Sequence, residues 1–219
     1  MNRVAILLLL LLSGRAIAHQ PVMDMTPRWD AGYGFQTRVE HFNSVTTTWL
    51  EGVYTWDKSV RATFKLPYRD GAWGDLILGL PLKKYKNEAN RTSNWSFTPS
   101  VQIPTSRERS DWDLGLSFSY STETQRVYQL FDLYIWEDRV GFDMNIGIAD
   151  RLGQGQGFFW LWDVSALTTD SQGDRIQTGP VAVYFKKNLM VRAEYKALVY
   201  ERDSQWSGGY FSLGLGLVF

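Results

Sequence analysis

Residues 189–200 set Arg192, Glu194 and Lys196 at alternate positions against Val191, Ala193, Tyr195, Ala197 and Val199. Alternation of period two puts one set on each face of a β-strand. The arrangement recurs along the chain. Arg38 and Glu40 oppose Tyr33, Phe35 and Val39. Arg61 and Lys65 oppose Val60, Ala62, Phe64 and Leu66, and Asp143 and Asn145 oppose Val140, Phe142, Met144, Ile146 and Ile148. Glu51, Asp113, Asp132 and Asp163 fall on the polar faces of their own segments. Charges of both signs on one enclosed face suit the lining of a lumen. There, opposed charges on facing walls form a constriction that selects what passes. The competing reading is that they pair across the lumen and plug it. Charges held away from bulk water need partners, and a narrow barrel can be filled by its own side chains.

Other chemistry is sparse. With no cysteine, the chain has no disulfide, thiolate metal site or lipoprotein anchor. Only two histidines occur. Once a leader is removed, the His19 amine and imidazole could chelate a metal together, with Met23 and Met25 adding thioethers of the kind that select Cu(I). The alternative is a leader, kinked at Pro21 and Pro27, that packs into or under the lumen. His41 stands near Asn43 and Ser44, but a lone His–Ser spacing in a turn is weak grounds for a nucleophile. We expect no enzyme and no cofactor. The 23 basic and 23 acidic side chains balance, and losing Arg3 and Arg15 with the leader tips the balance slightly acidic. There is thus no basic excess for nucleic acid.

The elements that would position the lumen residues are strands. The clearest is the last: Phe211, Leu213, Leu215, Leu217 and Phe219 share one face, while Tyr210, Ser212, Gly214 and Gly216 share the other. A terminal strand with an apolar outward face, closing on an aromatic residue, resembles the signal that the barrel assembly machinery of the bacterial outer membrane reads. Tyr210, Phe211, Leu213, Leu215, Leu217 and Phe219 are its candidate residues. The start of the chain agrees. Arg3 precedes an apolar run from Val4 to Leu12, too short to span a bilayer, and Ala16-Ile17-Ala18 has the form of a cleavage site. The expected organisation is a signal peptide at 1–18, a periplasmic segment at 19–29 and an outer-membrane barrel at 30–219. The 10 Trp, 11 Tyr and 12 Phe fit aromatic girdles around such a barrel.

Alternation and turn residues predict twelve strands, at 30–42, 45–56, 59–68, 75–83, 95–103, 111–120, 125–136, 140–150, 158–169, 175–185, 189–200 and the terminal segment. Pro81 interrupts the fourth. The ninth is apolar on both faces at its start, so its register stays open. An even number of strands suits a closed antiparallel transmembrane β-barrel with both termini in the periplasm. Closure satisfies every backbone group in lipid. Every loop is short, which argues against an adhesin or a plugged receptor. The expected partners are outer-membrane lipid, the assembly machinery and a small solute, with the chain a monomer.

From Lys65 onward the chain resembles a family of small outer-membrane barrels named for the phenol meta-cleavage pathway. The residues that carry the resemblance are Leu66-Pro67-Tyr68, Trp73-Gly74-Asp75-Leu76-Ile77-Leu78-Gly79-Leu80, Pro99-Ser100-Val101-Gln102-Ile103-Pro104-Thr105 and Asp113-Leu114-Gly115-Leu116. Ser106 stands where that family usually has glycine. The resemblance implies a twelve-stranded barrel passing small, often apolar organic molecules across the outer membrane.

Overall fold

A computed structural model describes residues 32–42, 44–57, 59–106, 111–124, 126–137, 139–153, 156–169, 173–202 and 208–218. The leader, the candidate metal ligands His19, Met23 and Met25, and Phe219 lie outside them. Fourteen strand segments form one antiparallel sheet that closes on itself. They are β1 (Gly32–Phe42), β2 (Val45–Thr55), β3 (Arg61–Arg69), β4 (Ala72–Trp73), β5 (Leu76–Gly79), β6 (Leu82–Glu88), β7 (Arg91–Ile103), β8 (Asp113–Thr124), β9 (Val127–Trp136), β10 (Arg139–Gly153), β11 (Gln156–Thr169), β12 (Gly173–Lys186), β13 (Leu189–Arg202) and β14 (Tyr210–Val218). Closure is made by β1 against β14, with Val39 opposite Leu213 and Arg38 opposite Gly214. The short segments β4, β5 and β6 share one stave, so the barrel has twelve staves.

The broken stave follows from its sequence. Pro81 has no N–H for the ladder, and its carbonyl instead accepts from the Arg61 N–H (3.1 Å). Beyond the break, β6 pairs with β7, and towards β3 it makes a single bridge between Val60 and Leu82. The fourth strand expected at 75–83 is therefore two ladder segments running to Glu88, and the fifth begins at Arg91, not at 95. The sixth begins at Asp113, not at 111, and extends to Thr124. The added length carries Lys84, Lys86, Asn87 and Glu88, all exposed. A hairpin clear of lipid has no need of an apolar face, so alternation could not reveal it.

The outer face is apolar throughout. Phe35, Leu50, Leu78, Phe97, Met144, Trp160, Tyr195 and Leu215 are among its exposed side chains. An apolar band around a closed sheet is the surface of a membrane barrel, since lipid replaces water as the neighbour of these groups. Aromatic pairs stand at both ends of the band. Tyr54 and Trp56 meet edge-on at 5.0 Å near the termini, and Tyr68 and Trp73 at 4.9 Å at the opposite end. β1 begins and β14 ends at the same end of the barrel, beside the turns that join β2 to β3 and β12 to β13. The register of β11 is settled by packing. Phe159, Leu161 and Asp163 point inward and are buried, while Phe158, Trp160 and Trp162 point to lipid.

Candidate functional site

The inner face divides along the barrel axis. At the loop end, Trp49 (β2), Ile77 (β5), Trp136 and Tyr134 (β9) and Leu167 (β11) meet across the lumen as a buried apolar cap. The backbone makes room for it. Trp136 lies over Gly115 and Tyr134 over Gly141, where an added Cβ would come within 2.8 and 2.0 Å of the rings. Towards the termini, β9 to β13 carry a second apolar cluster that includes Tyr128, Leu130, Phe159, Leu161, Val181 and Val183. Sequence reasoning did not anticipate apolar groups inside. The clue was there in β9 and β11, which are apolar on both faces.

Between the cap and that cluster lies a belt of charges in two groups. The first is centred on Arg38, which has no solvent exposure. Its guanidinium donates to Glu51 (3.0 Å), pairs with Glu40, donates to the Tyr210 hydroxyl (3.3 Å) and stacks over Trp49 at 5.4 Å. Glu40 also accepts from Tyr210 (2.9 Å) and from the Trp49 indole (2.7 Å), and Glu51 accepts from Gln36 (2.9 Å). Tyr210, expected only as part of the terminal signal, is thus a member of the belt. It begins the polar face of β14, and that alternation was its available clue. The other expected signal residues within the described chain, Phe211, Leu213, Leu215 and Leu217, face lipid.

The second group is centred on Lys196. Its ammonium pairs with Asp163 (2.7 Å), Glu194 (3.0 Å) and Asp143 (3.9 Å), and donates to the Ser165 hydroxyl. Lys196 is on β13 and Asp163 on β11, two staves apart. On β12 between them stands Gly179, directly opposite Asp163, with no side chain to block the reach. Arg192 donates to Glu194 (2.7 Å), and Ser119 donates to Asp132 (2.7 Å) in the neighbouring wall. Asp132, Asp143 and Ser165 stand in register across β9, β10 and β11, and Asn145 stands beside Asp163 one row further towards the termini.

Not every expected lumen residue joins the belt. Arg61 is buried near the termini and donates to the Tyr85 hydroxyl (3.2 Å). Asp113 is buried at the loop end, opposite Gln102, which donates to Asp75 (3.0 Å). Lys65 is half-buried opposite Glu51. His41 is exposed, its ring nitrogen sharing a hydrogen bond with the Thr46 hydroxyl (3.1 Å) across the β1–β2 hairpin. Among the described residues no group of three or more His, Asp or Glu has the geometry to hold a metal ion.

One wall is different in kind. The inward positions of β3, β7 and β8 carry Thr63, Ser96, Thr98, Ser100, Ser117, Ser119 and Ser121. Thr63, Ser100, Ser117 and Ser121 remain partly accessible and Ser96, Thr98 and Ser119 are buried, whereas Arg38, Arg192, Asp132 and Asp143 on the rest of the inner face are 0–1% exposed. Small hydroxyl side chains thus leave accessible patches on this wall above and below the buried rung of Ser96 and Ser119.

No protein-family model matches this sequence, nor does any curated protein sequence. Solved structures do match the fold. The KdgM porin, in complex with disordered oligogalacturonate, superposes with a TM-score of 0.63 at 10% identity, covering 85% of this chain and 99% of that one. The NanC porin gives 0.57 at 12% identity, covering 84% and 98%. An outer-membrane channel from Pseudomonas putida F1 gives 0.57 at 15% identity, covering 95% and 100%. At such identities the likeness is one of architecture, and it agrees with the apolar outer band: the chain is a small outer-membrane β-barrel of twelve staves.

Proposed function

We propose that the protein is a narrow passive channel for a small organic solute, with the charged belt as its constriction. The hydroxyl strip on β3, β7 and β8 carries this reading. It sets partly accessible hydroxyls at Thr63, Ser100, Ser117 and Ser121 beside a belt that is otherwise packed shut. The apolar cap of Trp49, Tyr134 and Trp136 supports a solute with an apolar body, because these rings line the loop end of the lumen. The anionic chain named for the KdgM complex suits this lumen poorly. Its buried cations, among them Arg38, Arg139, Arg175, Arg192 and Lys196, are matched by carboxylates such as Glu40, Glu51, Asp143, Asp163 and Glu194 and leave no cationic track for a polyanion.

A second reading is favoured by the burial of Arg38, Asp132, Asp143 and Arg192 at 0–1% exposure. Side chains so enclosed describe a plugged, structural barrel. Single-channel recording in a planar bilayer separates the two. Small stepwise openings whose size changes in Arg192→Ala support the channel. A correctly inserted barrel that stays silent under applied voltage, with Arg192→Ala equally silent, refutes it.

A further inference from the structure

We infer that a groove on the outside of the wall, where β6 parts from β3, binds one acidic phospholipid, with its phosphate at Lys84 and an acyl chain along Leu82, Trp95, Phe97 and Phe118. The lumen plays no part, so the inference goes beyond the channel reading and holds equally for a plugged barrel. The groove originates in the broken stave. Beyond Pro81, β6 meets the chain ahead of β3 through the Val60–Leu82 bridge and a bond from the Lys83 N–H to the Ser59 carbonyl (2.6 Å). Asp57 fixes that stretch by accepting from the Ser59 and Val60 N–H groups (2.5 and 3.0 Å). Between the small side chains of Ser59 and Val60 and the larger ones of Leu82, Trp95, Phe97 and Phe118 lies a recess of about 410 Å³.

The recess is apolar within and cationic at its rim. Leu82, Trp95, Phe97 and Phe118 are 38–47% exposed on the outer face, where lipid is the covering medium. Lys84 also lines the recess and stands opposite Trp95 on one rung of β6 and β7. Among the described residues, neither the Lys84 ammonium nor the Trp95 indole N–H has a polar partner. The carboxylates nearby are committed. Glu88 pairs with Lys86 (2.6 Å) and stands opposite Arg91, and Asp57 caps the turn. Glu123, opposite Thr92, is on the other face of the sheet. Arg91 adds positive charge to the rim, reaching back to the Tyr120 hydroxyl (2.8 Å), whose ring lies 4.2 Å from that of Trp95. A free anion would use Lys84 and leave the recess open, whereas an anion with an apolar tail fills both. Trp95 lies near the same end of the barrel as the Tyr54–Trp56 pair, and such aromatic belts mark the headgroup level. The longest connections, 104–112 and 203–209, are at the opposite end. Bacterial barrels carry long loops outside and short turns in the periplasm, so the groove opens on the phospholipid leaflet.

The test is native mass spectrometry of the full-length protein in detergent, titrated with dioleoyl phosphatidylglycerol. Each variant is first checked for its heat-resistant band. One lipid molecule should be retained well before any second. Dioleoyl phosphatidylethanolamine should need a higher concentration, because its own ammonium competes for the phosphate. Lys84→Gln should raise the phosphatidylglycerol concentration for half-occupancy roughly fivefold, the effect of one basic side chain on an acidic headgroup. Lys186→Gln removes an exposed lysine at the same end of the barrel but away from the groove, and should leave that concentration unchanged. Phe97→Ser makes the recess polar and should weaken retention with no change in charge. Graded uptake without a preferred first molecule overturns the inference, as does equal weakening by Lys84→Gln and Lys186→Gln. Displacement of the lipid by glycerol 3-phosphate at comparable concentration overturns it too, since the site would then hold a free anion. Lipid A retained more tightly than phosphatidylglycerol, and lost in Lys84→Gln, refutes the choice of phospholipid. Silence of the barrel in a planar bilayer bears on the channel alone.

Discussion

Replacing Arg38 by methionine tests whether the belt is held by its ion pairs. The substitution keeps most of the aliphatic length and removes the guanidinium. Glu40 then still accepts from Tyr210 (2.9 Å) and Trp49 (2.7 Å). Glu51 loses the 3.0 Å bond from Arg38 and keeps the Gln36 amide at 2.9 Å. Stripping one partner from a buried ion pair costs about 3–5 kcal/mol, and the geometry assigns most of that loss to Glu51. Adding Glu51→Gln to Arg38→Met should therefore recover about 1–3 kcal/mol, a coupling usual for residues in one network. Adding Glu40→Gln should recover far less, because that carboxylate keeps two donors. The measurement is reversible urea unfolding of the barrel in lipid vesicles, read by gel mobility. Two results refute the reasoning: a cost for Arg38→Met below about 1 kcal/mol, within the range of exposed pairs, or equal rescue by Glu40→Gln and Glu51→Gln.

Two further outcomes follow from the layering of the barrel. Trp136→Ala removes one of the two indole rings of the apolar cap. It should cost about 3–5 kcal/mol of stability while raising unitary conductance, and unchanged conductance in an inserted variant would show that the cap is no barrier. Leu215→Arg places a charge on the lipid face in mid-strand and should cost about 2–4 kcal/mol and reduce heat-resistant protein in membranes. Assembly as good as that of the parent chain would mean that the outward face of β14 has been misassigned.

How much of this was legible in the sequence depended on which force decided each element. Where lipid covers one face and the lumen the other, period-two alternation had to appear. β1, β3, β10 and β13 accordingly occupy nearly their expected spans, and Arg38, Arg61, Asp143 and Arg192 point inward as their apolar neighbours required. Where lipid does not reach, the pattern failed. The tip of the hairpin of β6 and β7 is held by backbone pairing such as Lys86 with Ser93 and Asn87 with Thr92, and its sequence there shows no apolar face. In β11 both faces are apolar at the start, because Phe159 and Leu161 pack inside against Tyr128 and Val181 while Phe158 and Trp160 face lipid. Periodicity cannot choose between two apolar environments.

The inner face was legible residue by residue, but its pairing was not, and the reason is reach. Cross-strand neighbours can be inferred once a register is known, yet the contacts that organise the belt skip staves. Lys196 meets Asp163 only because Gly179 intervenes without a side chain. Arg38 and Lys196 belong to separate groups, although Tyr210 touches both: its hydroxyl accepts from Arg38, and its ring lies 5.6 Å from the Lys196 ammonium. Tyr210 thus joins the wall that closes the barrel to the wall that carries the aspartates. Because β14 pairs with both β1 and β13 and its first inward residue is Tyr210, barrel closure and belt assembly are coupled. Without β14 seated between β1 and β13, Glu40 loses the Tyr210 hydroxyl and the two charge groups lose the side chain that links them.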